Sequence, residues 1–195
     1  MWFEKENIDT KDFSIEELIK LFNGSKKEKE IAFTYVYNKY SNRLYAYCLR
    51  IASSKSDADD IFQETFTSFL NSQKNEFEVT NIASYLIKIA RNIELNLKRN
   101  KKEFYLNIEE YDDILLIDEK DKYEKKEEME IIAKALELLD FHYKEIFVLR
   151  QYHNMSYEEI AEITNEKINV LRNRYFKAKE KLKEILDPIL NEKIK

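Results

Sequence analysis

Polar and basic side chains recur on one side of a segment near the C-terminus. Apolar positions in this segment repeat every three or four residues, which at about 100° per residue predicts an amphipathic helix. The predicted apolar stripe consists of Ile168, Leu171, Tyr175, Ala178, Leu182 and Ile185. The opposite side carries Asn169, Arg172, Asn173, Phe176 and Lys177. Amide and guanidinium groups pair with base edges in the major groove, although the same pattern also suits a helix pair with a solvated basic face.

A second, shorter helix is predicted immediately before this one. Ser156 and Glu159 have the S-x-x-E spacing of a capping box, which predicts a helix start that buries Tyr157, Ile160 and Ala161. A break follows at residues 164–167, so the two helices have the layout of a helix-turn-helix. Asn154 stands where a helix usually ends in a left-handed glycine, a conformation that asparagine tolerates.

The rest of the chain, which must position this segment, contains very few of the glycine and proline residues that favour turns. One glycine and one proline in 195 residues exclude a sheet-rich fold and predict an all-α protein. Ser14 and Glu17 should cap a short helix, and a long helix should occupy Glu28 to Ile51. Ser56 should cap a third helix, and a fourth should start at Asn81. The helical wheel of the fourth helix places one apolar side at Ile82, Leu86, Ile89, Ile93 and Leu97 and an opposite, basic side at Lys88, Arg91, Arg99 and Lys102. Two support helices are expected before the helix-turn-helix, with apolar residues Ile131, Ala135, Leu138, Leu139, Ile146, Phe147 and Leu149.

Charge divides the chain into two units and a connector. Residues 103–130 hold twelve acids against four lysines, whereas residues 167–195 hold nine bases against four acids. Such an acidic stretch is a poor core and is too long for a loop inside one compact domain. We therefore expect two small helical domains joined by an acidic linker, with residues from Tyr123 already joining the next helix. The net charge of −5 hides this uneven distribution.

Enzymatic and membrane functions find no support in the sequence. Cys48 lies in an apolar run and is expected to be a buried small hydrophobe, not a nucleophile or ligand. His142 and His153 fit no metal-ligand or catalytic spacing, so we predict no catalytic residue, metal or cofactor and no small-molecule substrate. The N-terminus lacks a signal-peptide core, and no apolar run could span a bilayer. We expect a cytoplasmic protein without membrane insertion.

Four motifs follow one another in a familiar order. DADDIFQETF at 57–66 precedes YLIKIARN at 85–92, a basic run at 98–102 and SYEEIAE at 156–162. This order resembles the extracytoplasmic-function (ECF) sigma factors of the sigma-70 family. The resemblance implies a region 2-like domain at residues 1–102, an acidic linker at 103–129 and a region 4-like helix-turn-helix domain at 130–195. It also implies core RNA polymerase, promoter DNA and an anti-sigma factor as partners.

The resemblance assigns roles to residues of the first domain. Binding of core polymerase falls to Asp57, Asp60, Gln63 and Glu64. Contacts with the minus-ten element fall to Phe77, Lys88, Arg91, Asn92, Arg99 and Lys102. The four basic residues would neutralise phosphates and Asn92 would make a polar contact. Phe77 would either stack on a flipped base or anchor its own loop to the core.

In the second domain the resemblance gives minus-35 reading to the basic helix. Base contacts would come from Arg172, Asn173, Phe176 and Lys177, together with Asn169, and phosphate contacts from Arg174 and Lys179. Lys167 and Val170 stand where many relatives have a small hydroxyl residue, so this helix should lack the usual cap. Asn165 stands where relatives usually have a glycine before the turn, and asparagine tolerates the left-handed conformation at some cost. An alternative is a helical regulatory protein that binds a protein partner without reading DNA. The acidic net charge favours this alternative only superficially, because free-standing DNA-binding proteins are usually basic.

Overall fold

A computed structural model describes residues 12–72, 79, 81–101 and 124–193 of the chain. All regular secondary structure within these ranges is helical, which confirms the predicted fold class. The described helices are α1 (Ile15–Phe22), α2 (Lys26–Ile51), α3 (Lys55–Ser72), α4 (Ile82–Lys101), α5 (Glu124–Glu137), α6 (Phe141–Gln151), α7 (Tyr157–Thr164) and α8 (Ile168–Lys193). None of these helices is long and apolar enough to cross a membrane.

Serine caps start several of the helices. The predicted capping boxes of α1 and α7 are confirmed, and Ser25 with Glu28 forms a third one that starts α2 at Lys26. The predicted cap of α3 is wrong, because Ser54 and not Ser56 caps this helix. Its hydroxyl accepts the Asp57 amide at 3.1 Å and its carbonyl accepts the Ala58 amide at 3.0 Å, so Ser56 is already helical.

Helices α1 to α4 form an N-terminal unit around a core rich in aromatic residues. Phe22 of α1 and Phe69 of α3 meet edge to face, with ring centroids 5.5 Å apart. Tyr47 of α2 and Leu86 of α4 belong to the same cluster of buried residues. The burial of Ile82, Leu86 and Ile93 confirms the apolar side predicted for α4, because these residues recur at helical spacing.

Helices α5 to α8 form a C-terminal unit in which α6 packs along α8. Leu171 and Ala178 of α8 are buried against this unit, as the apolar stripe predicts. Leu138, predicted to be part of a support helix, is 73% exposed. The reason is that α5 ends at Glu137, so Leu138 lies in the turn before α6 and the helical period no longer applies.

The two units pack directly against each other. Helix α4 contacts α7, and α2 contacts α6. The larger cluster of buried apolar residues is continuous across this boundary, since it contains Phe69 and Leu86 of the first unit and Ile146 and Ile160 of the second. This arrangement was not predictable from the motif order. Most of the acidic connector, residues 103–123, lies outside the described residues.

Candidate nucleic-acid interface

The turn between α7 and α8 sets the position of the predicted reading helix. Asn165 ends α7 in the left-handed conformation, with φ 58°, and its amide donates to the Ala161 carbonyl at 2.8 Å. Asn154, with φ 50°, adopts the same conformation before α7. Helix α8 then begins with the Leu171 amide bonded to the Lys167 carbonyl at 3.1 Å, so a residue without a hydroxyl stands at its start, as predicted.

The outward side of α8 presents the predicted row of side chains. Its exposed members are Asn169, Arg172, Asn173, Phe176, Lys177 and Lys179. Phe176 is 58% exposed, so its ring is open to apolar contact with a base such as the thymine methyl group. An exposed row of amides, cations and one aromatic ring, displayed by the second helix of a helix-turn-helix, has the chemistry needed to read a major groove.

One of these side chains is held by an aromatic neighbour. The Arg172 guanidinium lies 5.5 Å from the centre of the Tyr157 ring, and Arg150 lies over the same ring at 4.5 Å. Tyr157 in turn packs edge to face on Tyr175. A cation near an aromatic face is weakly attracted to it, so Tyr157 restricts the directions in which Arg172 projects.

Arg174 differs from its neighbours on α8. Its guanidinium makes two contacts of 2.8 Å with the Glu166 carboxylate, and the side chain is only 20% exposed. Glu166 lies in the turn before α8, so this pair ties the turn to the helix. Arg174 was predicted to contact phosphate, a role that would require it to exchange this carboxylate for a phosphate group.

The predicted basic side of α4 is only partly exposed. Lys88, Asn92 and Arg99 face outward, whereas Phe77 and Lys102 lie outside the described residues. Arg91 was expected on the same open side, and this expectation is wrong: it is 7% exposed, with Nε 2.7 Å from Glu145 Oε1 of α6. The helical wheel relates residues on one helix, but the surface near Arg91 is covered by another element of the fold.

Glu145 is the centre of a polar contact between the two units. It is 2% exposed, and the Tyr47 hydroxyl donates to the same Oε1 atom at 3.4 Å. Burial raises the pKa of Glu145, while the charge and hydrogen bond of Arg91 act in the opposite direction. Burial also raises the pKa of Tyr47 well above its usual value, so its proton is retained.

A second polar contact joins α2 to the segment before α7. Arg43 Nε donates to His153 Nδ1 at 3.3 Å, and another Arg43 nitrogen donates to the His153 carbonyl. His153 is 2% exposed and packs edge to face on Tyr47 at 5.6 Å. Burial, together with the charges of Arg43 and Arg50, lowers the pKa of His153 to about 3, so the ring is neutral.

This buried histidine should make the free energy of unfolding depend on pH. The unfolded chain binds a proton near pH 6.5 and the folded chain only near pH 3, so stability is lost as the pH falls through this window. Between pH 7.5 and 5.5 the loss should be about 1–1.5 kcal/mol. Urea unfolding of the wild type and His153→Gln at both pH values measures it. The variant should lack this loss, and equal pH dependence in both proteins would contradict the assignment.

The predicted polymerase-binding residues lie on α3. Asp60, Gln63 and Glu64 are exposed, and Asp57 is half-buried in the first turn. Next to them is an open cavity of about 390 Å³ between α2 and α3, lined by Tyr37, Ser41, Asn42, Tyr45, Asp59, Phe62 and Gln63. This cavity was not predicted from the sequence. The four-residue spacing of Tyr37, Ser41 and Tyr45 was the available signal, because it places the three side chains on one stripe of α2.

Within the cavity, a hydrogen bond links the two helices. The Tyr45 hydroxyl donates to Asp59 Oδ1 at 2.6 Å, and this bond is the main reason that the pKa of Tyr45 rises to about 12. Metal chemistry finds no support in the described part of the chain, where no three His, Cys, Asp or Glu side chains are grouped closely enough to hold an ion. Cys48 is fully buried, as predicted.

Comparison with protein families gives two matches along the chain. The model of Sigma-70 region 2 matches residues 36–104, which include α3 and α4. The model of Sigma-70 region 4 matches residues 129–182, which include the helix-turn-helix. The two matches occur in the same order as the motifs.

The chain is also similar to individual sigma factors along most of its length. The chain is 28% identical to RNA polymerase sigma factor SigV of Bacillus subtilis over 134 residues, covering 69% of this chain and 78% of that protein. It is 26% identical to the ECF RNA polymerase sigma factor SigW of the same organism, covering 83% and 92%. Both relatives are matched over most of their own length.

Solved structures show the same fold. The sigma factor RpoE in complex with the anti-sigma factor NepR from Bartonella quintana matches with a TM-score of 0.67 at 20% identity, over 80% of this chain and 96% of that one. CnrH in complex with the cytosolic domain of CnrY matches with a TM-score of 0.63 at 20% identity, over 88% and 95%. Since both regions and the fold are those of one family, this protein belongs to the sigma-70 family, and it is an RNA polymerase sigma factor of the ECF type.

Proposed function

We propose that this sigma factor directs core RNA polymerase to promoters through three separate surfaces. Helix α3 docks on polymerase through Asp57, Asp60, Gln63 and Glu64. The outward side of α8 reads the minus-35 element, and α4 with the loop before it contacts the minus-ten element. We further propose that residues 1–102 and 130–195 form two domains, joined by the linker 103–129. We propose that the protein acts by binding and not by catalysis, and that it does so on polymerase in the cytoplasm.

The observation that supports this function best is the exposed row on α8. Amide, guanidinium and ammonium groups are held out from a helix-turn-helix that is otherwise packed on its apolar side. Such groups can contact both base edges and phosphates, and their arrangement on one helix fits one groove. A regulator that bound only protein would not need this combination of donors on one exposed side.

On the same side of α8, we propose two kinds of contact. Arg172, Asn173, Phe176 and Lys177, with Asn169, face the bases, and Lys179 faces phosphate. Arg174 reaches phosphate only if its bond with Glu166 is exchanged, so it contributes less than Lys179. On α4, we propose that Lys88 and Arg99 contact phosphates and Asn92 a polar group of the minus-ten strand.

The function is tested by run-off transcription with core polymerase on genomic fragments. Promoter-specific transcripts that depend on the added protein are the expected result, and they also reveal the recognised elements. If the protein binds polymerase but yields no specific transcript from any fragment, the alternative of a helical regulator without DNA reading is correct instead.

We also propose that a separate anti-sigma factor restrains this protein. Support comes from the two structural relatives, of which RpoE is recorded in complex with the anti-sigma factor NepR and CnrH in complex with the cytosolic domain of CnrY. The identity of the restraining protein would be found by affinity purification from the native host, with binding then measured using purified components.

The polymerase-docking surface gives a direct prediction. Asp60→Ala with Gln63→Ala should weaken binding to core polymerase by about tenfold, equivalent to about 1.4 kcal/mol, because two central contacts are lost. The free energy of unfolding should change little, since both side chains are exposed. Binding is measured by fluorescence anisotropy with labelled protein.

A matched control for this prediction lies on the same helix. Thr67 and Asn71 are exposed on α3 but outside the acidic motif, so Thr67→Ala with Asn71→Ala should leave polymerase affinity unchanged. Equal affinities for the wild type and both double variants would remove α3 from the docking surface.

A further inference from the structure

The open cavity between α2 and α3 is walled by aromatic rings. The centre of the Phe62 ring lies 5.3 Å from that of Tyr45 and 6.3 Å from that of Tyr37, at interplanar angles of 71° and 63°. We refer to the space lined by these three side chains as the aromatic cavity. Its volume of about 390 Å³ falls within the range of roughly 300–1,000 Å³ that small-molecule sites occupy.

A carboxylate stands beside these rings. Asp59 lines the aromatic cavity and is half-buried, and its Oδ1 atom accepts the Tyr45 hydroxyl at 2.6 Å. This bond fixes the carboxylate and leaves the lone pairs of Oδ2 available to a further donor. Within the described ranges of the chain, no cation forms an ion pair with Asp59 or lies over the three rings.

Aromatic faces and a carboxylate attract the same class of ligand, an organic cation. The face of an aromatic ring is electron-rich, so it attracts an ammonium or guanidinium group within about 6 Å of its centre. The other polar groups that line the aromatic cavity include the Ser41 hydroxyl and the amide oxygens of Asn42 and Gln63. These oxygens accept hydrogen bonds, which a planar guanidinium donates and a quaternary ammonium cannot.

We propose that the aromatic cavity binds a small organic cation with a guanidinium head group and a short aliphatic stem. The guanidinium lies against the aromatic rings and donates to Asp59, and the stem extends through the open side of the cavity. The site goes beyond the proposed function, because its ligand is a free small molecule and neither polymerase nor DNA.

Occupancy of the aromatic cavity should oppose polymerase docking, a consequence that rests on the proposed function of α3. Gln63 lines the cavity and also belongs to the proposed docking residues, and Asp60 directly follows Asp59. A ligand bonded to Asp59 and Gln63 withdraws Gln63 from polymerase, so the two should compete. By linkage, polymerase should weaken ligand binding by the same factor.

Binding is tested on the free protein by nuclear magnetic resonance titration with n-butylguanidinium. We expect saturable binding with a Kd of about 1 mM, a value suited to a ligand of this size. Shifts of the butyl methylene protons would place the ligand against aromatic rings. The neutral control n-butylurea has nearly the same shape, and it should bind about tenfold more weakly because it lacks the charge.

Two substitutions locate the site. Asp59→Asn removes the charge but keeps an oxygen that accepts the Tyr45 hydroxyl, and it should weaken binding of n-butylguanidinium about tenfold. Tyr37→Leu replaces a ring by an apolar side chain and should weaken binding about threefold or more. Tyr37 is 40% exposed, so this variant should fold even if Asp59→Asn does not. Glu30→Gln is the matched control, since it removes one negative charge from an exposed position on α2 outside the cavity.

Three results would overturn the proposed site. They are an absence of saturable binding, equal binding of n-butylurea, and equal affinities for the wild type, the folded site variants and Glu30→Gln. If n-butylguanidinium does not bind but Tyr37→Leu weakens the binding of core polymerase, the aromatic cavity is part of the docking surface instead.

Competition is measured separately, by anisotropy with core polymerase. At a ligand concentration ten times its Kd, the apparent Kd for polymerase should rise about elevenfold in the wild type and about twofold in Asp59→Asn. Equal changes in the two proteins would overturn the competition and leave the ligand site in place. If Asp60→Ala with Gln63→Ala leaves polymerase affinity intact, the docking role of α3 fails, whereas ligand binding to the free protein still decides the site.

Discussion

Phe69→Ala should lower the free energy of unfolding by about 3–5 kcal/mol. Phe69 is fully buried where α3 meets α1, and its ring packs on Phe22 at 5.5 Å and on Tyr85 at 6.2 Å. Truncation to alanine loses the free energy gained when the ring is transferred from water into the core. It also leaves a cavity between α1, α3 and α4 that these helices cannot fill by shifting. Chemical unfolding followed by circular dichroism measures the loss.

The consequence for function should follow from this loss of stability. Because α3 carries the proposed docking residues and α4 packs against it, polymerase binding should fall with the fraction of folded protein. Phe62→Ala is the control, since Phe62 is only half-buried at the edge of the cavity between α2 and α3. It should cost clearly less, and an equal cost for both variants would mean that the core is not centred on Phe69.

Arg172→Ala should relax the sequence preference at one or two minus-35 positions by about 1–3 kcal/mol each. The guanidinium projects from the exposed side of α8 and is steadied by the Tyr157 ring. A bidentate arginine contact distinguishes one base from the others, so its loss changes the ranking of promoters and not only their affinity. Transcription from a randomised minus-35 library measures the ranking.

Lys179→Ala provides the comparison for this prediction. Lys179 is exposed on the same helix but projects toward the proposed phosphate side, with its ammonium 4.9 Å from the Tyr175 ring. Its loss should weaken all promoters alike and lower the salt dependence of binding. If Arg172→Ala also leaves the ranking intact and lowers every promoter uniformly, Arg172 contacts phosphate and not a base.

Local features of this fold could be read from the sequence because their causes are local. A serine followed three residues later by glutamate satisfies two amides at a helix start, and this signal correctly located α1 and α7. The same signal at Ser25 and Glu28 starts α2 at Lys26, two residues before the predicted start at Glu28. The left-handed Asn154 and Asn165 were likewise predictable, since few other residues tolerate that conformation.

Features that depend on contacts distant in sequence could not be read in this way. Arg91 and Glu145 are 54 residues apart, and no periodicity within α4 indicates which other helix will cover it. The helical wheel placed Arg91 near Lys88, and only packing of the second unit distinguishes the buried cation from the exposed one. The cavity between α2 and α3 has the same origin, because neither helix alone encloses it.

The burial of Cys48 has a consequence for oxidative chemistry. Burial raises the pKa of this thiol to about 12, so at neutral pH only about one molecule in 10⁵ carries the reactive thiolate. Cys48 is the single cysteine of the chain, which leaves no second thiol within it to form an internal disulfide. Peroxide and disulfides therefore find no reactive thiolate in the folded protein, and we expect thiol-based redox signals to reach its promoters through another protein.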